Sequence, residues 1–242
     1  MNVEETEEIK REFQLERMIL FSDAVFAIII TIMVLEIKLP EGLRHASSEV
    51  VKEAFLEVLP KFGGYAISFT IVSVFWSKHL ELFSYLKDYT KKLIAFNMVF
   101  LFFISLFPFS ITLLTGALSV GNAYGFVFYF FVILMALFTQ TLLIGYLVRN
   151  AQALCIKPAE IEHNLQWKAQ RINLFTIPVL FAYVIAGFFA GFSPLMFSCG
   201  IMAWALSQPI IRKKMYPKEP GQDKPLLARL FKSRKRKQLP EN

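Results

Sequence analysis

The residues of this chain best suited to chemistry are a serine, an aspartate and a histidine in apolar surroundings. Ser22 and Asp23 stand in the stretch FSDAVF, and His79 lies further along. Together they could supply the groups of a hydrolytic triad. A serine beside its own aspartate on one helix cannot easily share a histidine with it, however, and the sequence has no HExxH, GxSxG or glycine-rich phosphate motif. The sequence therefore does not predict an enzyme.

Four residues inside apolar runs, Asp23, Trp76, His79 and Asn97, offer a different kind of site. A polar or charged side chain in a bilayer is costly unless it has a partner. All four are predicted at a similar depth, so a hydrogen-bonded layer among them would satisfy the carboxylate. Two interpretations stay open: a structural clasp that ties three helices together, or a proton or ion site made by Asp23 and His79.

Long apolar runs must position these residues. The chain is 55% hydrophobic with a mean hydropathy of +0.49, which is too apolar for a soluble domain of this length. The runs are continuous rather than alternating, so they predict helices instead of barrel strands. Six runs are long enough to span a bilayer: 18–37, 58–77, 93–115, 124–148, 172–192 and 195–211. The predicted fold class is an all-α integral membrane protein with six transmembrane helices.

The basic residues between the runs predict the orientation, because Lys and Arg are retained on the cytoplasmic side of short loops. One side of the six-span layout collects 22 Lys and Arg residues. The other side carries four: Lys38, Arg44, Lys52 and Lys61. Both termini are therefore predicted to be cytoplasmic, in a protein that crosses the cell membrane several times.

A basic tail, 216–242, follows the last predicted span. Residues 1–215 are predicted to form the six-span transmembrane repeat, and the tail is predicted to be flexible. Its cluster RLFKSRKRK accounts for much of the net charge of +7. A basic cluster close to a membrane helix more often contacts anionic lipid headgroups or is solvated than binds nucleic acid. Membrane lipid is thus a predicted partner, and nucleic acid is not.

Residues three or four positions apart form a stripe along the first run. At about 100° per residue, Ile28, Thr31 and Leu35 fall within an arc of about 60°. Asp23 points about 140° away from Ile28, and Ala27 flanks the stripe. Such a stripe can face lipid, pack in a core or line a pore. The spacing alone leaves these alternatives open.

The stretch that begins at Arg17 fits the pattern RxxxFSD, completed by Phe21, Ser22 and Asp23. With its continuation AVFAIIITIMVLEIKLP, it resembles the first helix of the transmembrane protein 175 family of potassium channels. The segment LFPFSITLL (106–114) also resembles the pattern of that family. Three residues in the second and third runs match it as well: Trp76, His79 and Asn97. These residues together form the predicted signature motif and helix clasp.

The resemblance implies an assembly and a pore. Prokaryotic members of the family carry one such repeat, as this chain does, and assemble as tetramers, so a homotetramer is expected. Within the family the first helix lines the pore, and an aliphatic residue five positions after the motif aspartate forms the constriction. Here that residue is Ile28, and Leu35 would form a second apolar ring of the gate. Thr31 and Ala27 would line the passage and contribute to selectivity.

The predicted function is a potassium-permeable cation channel that conducts potassium and other monovalent cations passively, with no cofactor or bound metal. The chain has no TVGYG-type filter loop, so its selectivity is expected to be weak. Arg17 returns to the angle of the stripe, where it either lines the mouth or pairs elsewhere. Two alternatives remain: a proton-coupled secondary transporter that uses Asp23 and His79, and a non-conducting membrane interaction protein.

Overall fold

The structure is a computed structural model that describes residues 3–38, 47–120, 123–162, 167 and 170–215. Arg44 and the predicted basic tail lie outside these residues. Within them the chain is helical, with short connections. The α-helices are α1 (Val3–Leu35), α2 (Ser48–Phe83), α3 (Lys91–Ser105), α4 (Phe107–Val120), α5 (Tyr124–Arg149), α6 (Ala151–Leu154), α7 (Pro158–Glu162), α8 (Asn173–Phe189) and α9 (Pro194–Met215). A short 3₁₀ helix, Gln170–Ile172, precedes α8.

Five stretches of helix in the described residues are long and apolar enough to cross a membrane. They are Glu5–Leu35, Ser48–Phe83, Lys91–Gly116, Tyr124–Arg149 and Gln170–Phe189. The remaining predicted span, 195–211, falls in α9, whose apolar part is the shorter stretch Leu195–Ile211. The chain is therefore a multi-pass membrane protein with an all-α fold, and its first five predicted spans correspond to these helices.

One predicted span is divided. The run 93–115 forms α3 and α4, which meet at Leu106. Pro108 lies in the first turn of α4 and has no backbone N–H to bond the carbonyl one turn earlier. Ahead of it, the Leu106 N–H bonds the Phe103 carbonyl three residues back, which tightens the end of α3. The proline thus explains why one apolar run gives two helices.

Helix α5 lies centrally and packs against α3, α4 and α8. Helix α1 packs against α2, α3 and α4, whereas α9 packs against α8. Aromatic side chains fill the space between α1, α2 and α3. Phe26, Phe75 and Phe100 meet there in tilted and edge-on contacts, and all three are buried. This aromatic core fixes the position of α1 against its two neighbours.

The connection from α2 to α3 is tied to the segment after α6. An isolated β-bridge joins Leu86 and Cys155, and the Ile156 N–H donates to the Tyr85 carbonyl at 2.9 Å. Thr90 then caps α3, because its hydroxyl accepts the Leu93 N–H at 3.1 Å. The start of α3 is therefore held in place at the end of the bundle that the orientation prediction makes cytoplasmic.

Candidate functional site

Helix α1 has two contrasting faces. Its buried face repeats every three or four residues, which is the spacing of one side of a helix. Its members are Leu15, Met18, Ser22, Phe26, Ile29 and Met33. Ser22 is the polar member of this face and is fully buried. A polar residue at such a position needs a hydrogen-bond partner from a neighbouring helix.

Ser22, Asn97 and His79 form a chain of hydrogen bonds across three helices. The His79 Nε2–H donates to Asn97 Oδ1 at 2.9 Å, and Asn97 Nδ2 donates to Ser22 Oγ at 2.9 Å. The Ser22 hydroxyl donates in turn to the Met18 carbonyl at 2.9 Å. All three side chains are buried. The chain of donors runs in one direction and ends on a backbone carbonyl, so it links α2, α3 and α1 without an open end.

The imidazole of His79 is held on its faces as well as at its edge. The Phe83 ring stacks on it at a centroid distance of 3.9 Å, and Phe100 lies nearly parallel to it at 5.8 Å. Phe26 contacts it at a tilt, at 5.6 Å. His79 is therefore built into the aromatic core rather than exposed to an aqueous path.

Asp23 makes a separate contact on the other side of α1. Its Oδ1 accepts a hydrogen bond from the Trp76 indole Nε1 at 3.0 Å, which joins α1 to α2. This pair is more exposed than the Ser22 chain, with Trp76 37% exposed. In the described residues no hydrogen bond links Asp23 to His79 directly. The adjacent residues Ser22 and Asp23 thus bind different helices.

The other two motif residues, Arg17 and Phe21, lie outside these hydrogen bonds. The Arg17 guanidinium sits 5.9 Å from the centre of the Phe13 ring, one turn earlier on α1. Asp88, an acid near this end of the bundle, pairs with Arg11 at 3.5 Å. Phe21 is half exposed and, with Arg17, lines a groove of about 340 Å³ beside Tyr89. Both therefore belong to the outer face of α1.

That outer face contains the predicted stripe. Ile28 is 55% exposed and Leu35 is 68% exposed, and Thr31 and Ala27 are exposed as well. Among the residues that the structure describes, none covers these side chains fully. In a membrane protein an exposed apolar face contacts lipid or another subunit.

The hydroxyl of Thr31 is oriented by its own helix. Thr31 Oγ1 donates to the Ile28 carbonyl at 2.8 Å, with the Ala27 carbonyl at 3.0 Å. This back-bonding uses the hydroxyl proton. The oxygen keeps its lone pairs on the exposed face, where they can accept a donor or contact a cation.

A contact at the far end of α1 was missed by the sequence analysis. Thr112 Oγ1 donates to Glu36 Oε2 at 2.6 Å and so joins the end of α1 to α4. Glu36 lies at the edge of a groove of about 500 Å³, which Ile28 and Phe109 also line. An acid inside the predicted span 18–37 was the available signal. Together with the contacts of Ser22 and Asp23, it holds the second half of α1 against its neighbours.

Residues 17–108 match the family model described as endosomal/lysosomal potassium channel TMEM175. A curated potassium channel of a Chryseobacterium species is 43% identical over 88 residues, which cover 36% of this chain and 42% of that protein. One from Streptomyces collinus is 31% identical over 108 residues, covering 43% and 48% respectively. The chain thus spans just under half the length of these relatives. The matches confirm the predicted resemblance to the transmembrane protein 175 family over residues 17–108.

The fold is shared with a solved structure, described as a lysosomal potassium-selective channel TMEM175 homologue from Chamaesiphon minutus. The TM-score is 0.58 at 24% identity, and the match covers 81% of this chain and 98% of the other. At this identity the likeness shows the fold. The family and the curated relatives are channels rather than enzymes, as predicted for this chain.

Proposed function

We propose that this chain, a relative of the transmembrane protein 175 family, forms a potassium-permeable cation channel in the cell membrane. Four copies surround an axis, and α1 of each copy lines the pore. Potassium and other monovalent cations pass down their gradient through this opening. No cofactor takes part.

The observation that carries the proposal is the division of α1 into two faces. One face is buried and hydrogen-bonded to α2 and α3, and the opposite face is apolar and uncovered. A helix held this firmly by one side presents the other side in a fixed direction. Because the exposed stripe extends along the apolar part of the helix, four such helices can enclose a continuous passage.

The stripe supplies the parts of a narrow gate. Rings of Ile28 and Leu35 offer no hydrogen bonds, so water and hydrated cations enter reluctantly and the passage can close by dewetting. Thr31 places a ring of hydroxyl oxygens between them, and Ala27 leaves room beside that ring. The Thr31 proton is bonded to backbone carbonyls, so its lone pairs favour a cation over an anion. Side-chain hydroxyls give fewer ligands than a carbonyl filter, so weak selectivity is expected.

The proposal includes the topology predicted from charge. Six spans, with both termini in the cytoplasm, require the apolar part of α9, Leu195–Ile211, to cross the membrane as the last one. The transmembrane repeat then ends near residue 215. The basic tail, 216–242, lies close to the cytoplasmic leaflet, where anionic headgroups attract it.

A proton-coupled transporter using Asp23 and His79 is the rival function. It needs a route for a proton between the two groups. Asp23 bonds Trp76, whereas His79 bonds Asn97, and the donor chain from His79 ends at a backbone carbonyl. These contacts favour a structural role for both residues and give the channel the stronger support.

Replacing Ile28 by asparagine tests the proposal. The change widens and wets the constriction, so we expect higher conductance and reduced discrimination between potassium and sodium. Folding should be little affected because the side chain faces a lumen. Flux into vesicles containing the purified protein, measured in potassium and then in sodium, gives the first result, and the melting temperature gives the second.

Ile29 provides the matched control, because it is the next residue and is buried. Ile29→Asn places a polar group in the packed face and should lower the free energy of unfolding by about 1–3 kcal/mol. Its effect on ion discrimination should be small. If Ile28→Asn instead lowers stability and leaves the flux unchanged, α1 does not line a pore along this face.

A further inference from the structure

The first half of α1 extends beyond the apolar run and carries an unpartnered apolar seam. Ile9, Phe13 and Leu20 fall within an arc of about 40° on the helix surface. All three are more than half exposed, at 57%, 59% and 58%. Apolar side chains four and seven residues apart, two of them ahead of the apolar run that begins at residue 18, are typical of a helix that packs against another helix.

Charges of opposite sign border this seam. Glu12 and Glu16 lie about 40–80° to one side of its centre, and Lys10 and Arg17 lie about 60–80° to the other. All four side chains are exposed, and none forms an ion pair with another residue that the structure describes. Arg17 instead rests over the Phe13 ring, at the edge of the seam.

These positions form a heptad pattern. With Phe13 and Leu20 at position a, Ile9 and Glu16 occupy position d, Lys10 and Arg17 occupy position e, and Glu12 occupies position g. In parallel helical bundles, e and g residues of neighbouring helices form the pairs that set partner and orientation. One copy of this segment carries both the acidic position g and the basic positions e. A second copy of the chain is therefore a complementary partner.

We propose that residues 6–20 of α1 pack against the same segment of neighbouring copies as a parallel bundle at the cytoplasmic mouth, with Glu12 of one copy paired to Arg17 of the next. In a closed ring, the acidic border of each copy meets the basic border of its neighbour. The inference rests on the proposed channel for the parallel arrangement of α1 around one axis. It gives Arg17 a partner at the mouth, where an unpaired ring of arginines would repel cations.

Cysteine cross-linking of the full chain in phosphatidylcholine vesicles tests the bundle. In a Cys199→Ser background, where the remaining Cys155 is buried, Phe13→Cys should form intersubunit disulfides at least tenfold faster than Glu8→Cys. Glu8 is exposed, lies on the same helix and points away from the seam, which makes it the matched control. Equal rates at the two positions would overturn the bundle.

A charge exchange tests the pairing itself. Glu12→Arg and Arg17→Glu should each slow the Phe13→Cys reaction several-fold, and the two together should restore it. If the double exchange stays as slow as either single variant, the pairing is wrong. A fluorophore attached to the thiol of the Phe13→Cys variant gives a further check. Its quenching by spin-labelled lipid would show that the seam lies on the bilayer, which also overturns the proposal.

Potassium flux into the same vesicles separates this inference from the proposed function. Flux together with equal cross-linking at the two positions would remove the bundle and leave the channel. Selective cross-linking at Phe13→Cys without flux would support the bundle and count against conduction.

Discussion

At the residue scale, two neighbouring side chains of α1 form hydrogen bonds to two different helices. Ser22 bonds Asn97 of α3, whereas Asp23 bonds Trp76 of α2. The sequence identified the residues, because polar groups in apolar runs need partners. It could not pair them, since residues at one depth on three helices allow several combinations. Only the rotation of each helix, set by packing of rings such as Phe100, selects the partners.

Among these residues, Asn97 should contribute most to the stability of the fold, because its side chain both accepts and donates a hydrogen bond. Asn97→Ala leaves the His79 N–H buried without an acceptor. We expect the free energy of unfolding to fall by about 1–2 kcal/mol, which is near the upper end for a hydrogen bond inside a membrane protein. Thermal or denaturant unfolding in detergent measures the change.

Thr70→Ala is the comparison for this experiment. The Thr70 hydroxyl is exposed and bonds the Ala66 carbonyl of its own helix, so its removal should change stability by less than about 0.5 kcal/mol. Equal effects of the two variants would mean that the chain through Asn97 contributes no more than a surface hydroxyl.

At the element scale, the apolar runs predicted the spans well and the helix ends poorly. The first run was predicted to begin at residue 18, yet α1 begins at Val3. Hydropathy indicates where a helix enters lipid. The charged segment ahead of residue 18 is helical because of its own residue types, which hydropathy does not register. It contains no Pro or Gly and is rich in Glu, Lys and Arg, which are good helix formers. In the same way, Pro108 ended one helix within an uninterrupted apolar run.

The contact between Glu36 and Thr112 should hold the far end of α1 against α4. Glu36→Ala removes the acceptor, so we expect faster amide hydrogen exchange over the last two turns of α1 and little change near Ser22. Glu57→Ala removes an exposed acid from α2 and serves as the control. Mass spectrometry of exchanged peptides gives the comparison. Unchanged protection in Glu36→Ala would show that packing alone holds this end.

At the scale of the whole molecule, the single chain leaves the outer face of α1 uncovered. Neither hydropathy nor periodicity could decide whether that face meets lipid or protein, since both partners accept apolar side chains. The resemblance to a channel family and the orientation of α1 together favour protein. The expected assembly is a closed homotetramer, whose mass in detergent should equal that of four chains.

A bulky residue on the stripe tests this assembly. Ala24 is exposed on the same face as Ile28, so Ala24→Trp should lower the tetramer fraction and the flux several-fold by preventing close approach of the helices. Val179→Trp places the same side chain on α8, at a position 70% exposed, and should be tolerated. A tetramer that forms and conducts normally with Ala24→Trp would place this face against lipid.

The divided contacts of Ser22 and Asp23 have a consequence for how such a passage could open. Bonds from these adjacent residues to α2 and α3 restrain the axial rotation of α1, because rotation moves both side chains away from their partners. A motion that rotates α1 about its own axis must therefore break at least one of these bonds. Tilting or outward displacement of α1 together with α2 and α3 keeps both intact. In the proposed channel we therefore expect opening by rigid movement of this three-helix unit.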